Sequence, residues 1–175
     1  NHRGGELFGV ASNMKLLTTA AALEYLGSNF EYKTYVTAYG TITPSGELLG
    51  NIVIKGSGDP NFSGRFYQGK TTAIPEAWAT AVAGRGIRRI SGDIVADDTV
   101  FDRNYTNPNW PVNQLSQWYC APSCGLSFND NCVDITVLPS KKVGDTVSLQ
   151  VEPNTAYITI VNTCTYTANK KEHGY

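Results

Sequence analysis

The stretch "ASNMKLLTTAAALEYLG", Ala11 to Gly27, sets the reading of the chain. Ala and Leu dominate it, no Pro interrupts it, and Gly27 stands where a helix end calls for a left-handed residue. The composition predicts a helix from about Ser12 to Leu26. As far as Leu23 its only charge is Lys15. Residues three apart share a helix face, so Ser12 and Lys15 project from the same side. Two uses fit that spacing. Ser12 can be an N-cap that accepts a backbone N–H, with Lys15 reaching out to water. Alternatively, apolar neighbours (Met14, Leu16, Leu17, Ala20 to Ala22) keep the lysine amine partly neutral. It then takes the proton of the Ser12 hydroxyl and turns it into a nucleophile. A bare S-x-x-K pattern arises by chance on the order of 0.5 times in such a chain, so the pattern alone favours the cap.

Outward from this helix the text becomes strand-like. "FEYKTYVTAYG" (30–40) and "LLGNIVIKG" (48–56) flank the turn "TPSGE" (43–47), which predicts a hairpin. "IPEAWATAVAGRG" (74–86) predicts a second helix with Pro75 in its first turn, and "IRRISGDIVADD" (87–98) a pair of short strands. An aromatic, proline-rich loop spans 101–122. "CVDITVLP" (132–139), "DTVSLQVEP" (145–153) and "AYITIVNTCTYT" (156–167) each read as strands, and 169–175 as a frayed tail. The class expected is α+β: one N-terminal helix leading into a strand-rich body.

Composition narrows the chemistry. A net charge of −1 over 175 residues gives no basis for binding nucleic acid or an anionic membrane. No apolar run reaches the roughly 18 residues that cross a bilayer. The 2 histidines, His2 and His173, sit near the chain ends, which argues against a Ser-His-Asp triad or a His metal site. No metal and no cofactor is expected. Asp97-Asp98 suits a strand end or turn better than a catalytic carboxylate pair, since consecutive strand residues face opposite ways. The 4 cysteines, Cys120, Cys124, Cys132 and Cys164, fit no zinc spacing and favour disulfides and an extracytoplasmic setting, with three pairings open.

Five stretches appear in order: "ASNMKLLTTAAALEYLG", "GELLGNIVIKGSGDPNF" (46–62), "ISGDIVADDTVFD" (90–102), "NWPVNQLSQWYCAP" (109–122) and "GLSFNDNCVDITVLP" (125–139). Together they closely resemble the D-alanyl-D-alanine carboxypeptidase/endopeptidase family of the penicillin-binding protein 4 type (class C, peptidase family S13). The resemblance implies a penicillin-recognising serine peptidase acting on peptidoglycan stem peptides. Ser12 would be the nucleophile and Lys15 its general base, with β-lactams as covalent inhibitors. It further implies that 1–29 belongs to the peptidase domain and that 30–168 forms inserted α+β domains, in a periplasmic or secreted protein.

Departures from the family pattern carry further expectations. The family's later motifs, S-x-N and K-T-G, have no counterpart here: Ser127-Phe128-Asn129 matches an insert, and Lys70-Thr71-Thr72 lacks the glycine. The chain is therefore expected to be an internal fragment of a longer enzyme, inactive on its own, without a signal peptide. Relatives carry an aspartate in a "WPW-N-D" segment that pairs with the free amino group of the stem peptide; here Gln114 stands in its place, with Tyr119 as the nearby aromatic. Gln114 can hydrogen-bond but forms no salt bridge. A non-enzymatic alternative is a degenerate penicillin-binding or cell-wall scaffolding module.

Overall fold

A computed structural model describes residues 3–169. His2, His173 and the tail from 170 lie outside the described residues. The chain divides into two compact units, Asn1–Tyr32 and Lys33–Tyr175.

In the first unit, a 3-10 turn at Ala11–Asn13 leads into α1, Met14–Leu26. Gly27 ends the helix with φ +80°, and its N–H bonds to the Leu23 carbonyl. The helix is apolar almost all round, a pattern typical of helices covered on several sides. None of its residues is buried here, and Leu16, Leu17 and Leu23 are 70%, 67% and 63% exposed.

The second unit is built on a hairpin. β1 (Tyr35–Ile42) pairs antiparallel with β2 (Glu47–Lys55) across the turn at Thr43–Gly46. The chain then crosses back through α2 (Ala73–Gly84) to run parallel to β2. A parallel return needs such a crossover, and the helix supplies it. The expected pair of short strands is present, as β3 (Arg89–Ile90) and β4 (Ile94–Asp97). They do not pair with each other. Both lie along the same edge of β2 in one register, joined by Ser91-Gly92-Asp93, whose backbone bonds to Leu48, Gly50 and Ile52.

Period-two alternation on β2 places Leu48, Ile52 and Ile54 on one face. Leu48, Ile52 and Ile87 form the buried core, with Val36, Ile54, Val82 and Ile90 packed around them. β5 (Asp134–Leu138) and β6 (Ser148–Glu152) form a separate antiparallel ladder.

The expected strand at 156–167 is not formed. Only Thr165 bridges, to Thr146, and Tyr157 and Val161 are 92% and 82% exposed. β-favouring residues specify a strand only where a partner backbone is available, and most of this segment has none.

Candidate active site

Ser12 lies in the 3-10 turn and Lys15 in the first turn of α1, and the lysine Nζ donates to Ser12 Oγ at 2.9 Å. The N-cap position of α1 belongs to Asn13, and no side chain caps either helical segment. Ser12 is therefore not the helix cap. The 3-10 turn moves the start of the α-helix past it and leaves its hydroxyl to the lysine. Just before it, Ala11 has φ +44°. A Cβ-bearing residue in that region stores on the order of 1 kcal/mol, and it turns the chain into the helix here. Asn13 N–H closes the turn on the Val10 carbonyl at 3.0 Å.

At 2.9 Å a proton can pass between Nζ and Oγ. Serving as a base requires a neutral amine, which apolar surroundings favour. The greasy helix is expected to provide that desolvation, yet Ser12, Lys15 and their helical neighbours are all exposed. The apolar groups are present in the sequence, but none is packed closely enough in this chain to remove water from the pair.

Gln114 and Tyr119 lie in one loop on successive 3-10 turns, Val112–Gln114 and Trp118–Cys120. The Gln114 carbonyl accepts from Gln117 N–H at 2.9 Å, and Tyr119 meets Trp118 edge-on at 5.8 Å. Both side chains are exposed. Lys70 pairs with Glu76, and buried Thr71 donates to Glu152, so that triplet ties α2 to β6. In the other triplet, Ser127 Oγ accepts from Asn131 Nδ2 at 3.3 Å and Asn129 is buried.

A polar cavity of about 490 Å³ in the second unit, between Ser63–Thr71 and Trp118–Asp134, has no counterpart among the sequence expectations. Asn129, Asp130 and Asn131 hold φ of 49°, 55° and 54°, three consecutive left-handed residues. The one available signal is the composition of "NDN", since Asn and Asp tolerate this region better than other Cβ-bearing residues.

The expectation of disulfides is overturned: all 4 cysteines are free. Each thiol has a different setting. Cys120 is buried, Cys124 bonds to the Leu126 carbonyl, Cys132 to the Asp130 carbonyl, and Cys164 is exposed. Burial raises the Cys132 thiol above its ordinary range, and the neighbouring charges of Asp130 and Asp134 push it the same way. It is held as a thiol rather than a nucleophilic thiolate. Among the described residues no group of three or more His, Cys, Asp and Glu could hold a metal ion, and no helix is long and apolar enough to cross a membrane.

Comparison with known proteins gives the context. A D-alanyl-D-alanine carboxypeptidase of Actinomadura sp. (strain R39) is 34% identical over 143 residues, which cover 78% of this chain and 25% of that protein. The D-alanyl-D-alanine carboxypeptidase DacB of Haemophilus influenzae is 26% identical over 152 residues, 86% of this chain and 30% of the relative. The crystal structure of penicillin-binding protein 4 (dacB) from H. influenzae superposes with a TM-score of 0.65 at 28% identity, covering 82% of this chain and 30% of that one. A second crystal structure of that protein, complexed with a novel β-lactam, matches with a TM-score of 0.52 at 26% identity, over 82% of this chain and 26% of its own. The chain thus spans between a quarter and a third of the length of the curated relatives it matches. The model of the D-Ala-D-Ala carboxypeptidase 3 (S13) family matches residues 1–174, and the chain belongs to that family.

Proposed function

We propose that this chain carries the nucleophile of a serine-type D-Ala-D-Ala carboxypeptidase/endopeptidase that acts on peptidoglycan stem peptides outside the cytoplasm. The observation behind this reading is the 2.9 Å contact between Lys15 Nζ and Ser12 Oγ, in a chain of the S13 family. Ser12 Oγ attacks the carbonyl carbon between two D-alanines while Lys15, once the bound peptide excludes water from the exposed pair, accepts the hydroxyl proton. The tetrahedral intermediate collapses as the C–N bond breaks, and the proton passes to the departing amine. This leaves an ester on Ser12 and free D-alanine, and water then hydrolyses the ester. The N-terminal end of α1 favours the negative charge that develops on the carbonyl oxygen.

β-Lactams would open on the same oxygen and stall there, in keeping with the β-lactam complex of the H. influenzae neighbour. The 175 residues hold no K-T-G or K-S-G triplet. The reading therefore assigns this chain slow acylation without efficient turnover, with 1–29 as part of the peptidase domain and 30–168 as inserted domains. Gln114 and Tyr119 would contact the stem peptide by hydrogen bonding and stacking; Gln114→Asp should restore preference for amino-bearing peptides, and an unchanged preference would remove Gln114 from the site.

Incubation with a fluorescent penicillin tests the assignment. Label is expected on the peptide containing Ser12 and absent from Ser12→Ala. Label retained in Ser12→Ala would place the acylated nucleophile elsewhere and remove Ser12 from that role, and none on the wild-type chain would leave only a scaffolding role.

A further inference from the structure

We propose that the polar cavity of the second unit, around Ser63, Arg65, Trp118, Asn129, Asp130 and Asp134, is a saccharide subsite that holds an N-acetylhexosamine unit of a glycan strand.

The cavity, about 490 Å³, falls within the range of small-ligand sites. Its base is buried and preorganised. Ser63 and Asn129 are 2% and 6% exposed. Asn129 Nδ2 donates to Asp134 Oδ2 at 3.0 Å and to the Cys132 carbonyl at 3.2 Å. Ser63 Oγ donates to Asp130 Oδ2 at 3.4 Å, and Arg65 Nε approaches the same oxygen at 2.8 Å. The left-handed run 129–131 aims Asp130 at this group, at a backbone cost that other residues would not bear without compensation. Asn131 secures the turn from behind through the Pro122 carbonyl at 2.8 Å. Trp118 lines the cavity and is still 67% exposed, with the Arg65 guanidinium 5.8 Å from its ring centre.

The chemistry of the lining selects the ligand. A divalent cation finds no adequate ligand group among the described residues. A phosphate would meet the carboxylates of Asp130 and Asp134, with Arg65 as the one cation among the lining residues. A wholly apolar ligand would take water from the Arg65 guanidinium and the Asp130 carboxylate, both still partly exposed, and give nothing in return. A pyranose suits both parts of the lining. Its C–H face lies against an exposed indole, and its hydroxyl and acetamido groups exchange hydrogen bonds with planar carboxylate, amide and guanidinium side chains. The choice of an amino sugar rests on the peptidoglycan reading above.

The probe is N,N′,N″-triacetylchitotriose, titrated into the ¹⁵N-labelled 175-residue chain. Saturable NMR shifts are expected at the Trp118 indole and at 129–134, with Kd on the order of 1 mM. Trp118→Ala should weaken binding about tenfold or more; the side chain is exposed, so the fold should be unaffected. Arg65→Ala should weaken it as a second, independent variant, and Ser12→Ala should leave it unchanged. Absence of localised shifts, or equal binding by Trp118→Ala, overturns the proposal. Penicillin labelling at Ser12 is read separately: its failure alone sinks the peptidase reading, while loss of saccharide binding alone sinks this subsite.

Discussion

Gly50 faces Gly40 across the β1–β2 ladder, and the two backbones approach so closely that neither position has room for a side chain. A Cβ built on Gly50 would lie 2.0 Å from the Tyr39 carbonyl oxygen, whereas ordinary contact begins at 3.4 Å. The obstacle is backbone, so no rotamer change relieves it. In Gly50→Ala the strands must part locally by roughly 1 Å, which takes neighbouring rungs beyond hydrogen-bond length. Two ladder bonds lost beside the buried core, at about 1–2 kcal/mol each with partial desolvation, and some disruption of Leu48 and Ile52 sum to about 3–5 kcal/mol. That is a large share of the ~5–15 kcal/mol of a whole domain. Gly84 is the control, at the end of α2 with nothing within 4 Å of an added methyl and no positive φ. Gly84→Ala should be neutral or stabilise by up to about 1 kcal/mol. Urea unfolding followed by circular dichroism should show the Gly50→Ala midpoint lower by about 1.5–2.5 M. A Gly50→Ala protein within about 1 kcal/mol of wild type would mean the strands are not this close.

Other expectations follow from single contacts. Leu48, fully buried at the centre of the small core, should cost about 3 kcal/mol on replacement by Ala, read from the same urea curves. The Cys132 thiol, held above its ordinary range by burial, should alkylate more slowly than exposed Cys164 and reach its own half-maximal rate only above the ordinary thiol range; peptide mass mapping after pulses of iodoacetamide reads both. The Tyr105 hydroxyl donates to Asp98 at 2.8 Å, and that bond raises its pKa. Because the folded value is raised, its stabilisation holds below the ordinary tyrosine range and disappears as pH rises through the folded value. The tyrosinate absorbance missing from Tyr105→Phe should therefore titrate late, and should move earlier in Asp98→Asn.

Local signals in the sequence are strong where one residue type settles a local geometry. Gly27 ends α1, Pro75 begins α2 within a residue or two, and the turn around Ser45-Gly46 joins β1 to β2. Pairing is harder to read. Nothing in "IRRISGDIVADD" says that both short strands run parallel to β2, because that depends on where α2 returns the chain. The segment 156–167 misleads for the same reason, since alternation signals a strand but does not supply its neighbour. Cysteine count points to disulfides, while the fold gives each thiol its own setting. Of the site, the spacing of Ser12 and Lys15 is legible because three residues of helix fix a shared face. The cavity at Asp130 is not, because it joins residues from 63 to 134 through a left-handed turn that no periodicity announces.

The role given to Lys15 can be settled by the rate at which the intact chain forms a penicilloyl ester, followed by mass spectrometry for wild type and Lys15→Met. If the lysine amine takes the Ser12 proton, the variant should acylate about 10²-fold more slowly or worse, with its adduct still confined to Ser12. Acylation of Lys15→Met at the wild-type rate would show that the 2.9 Å contact has no part in activating the serine.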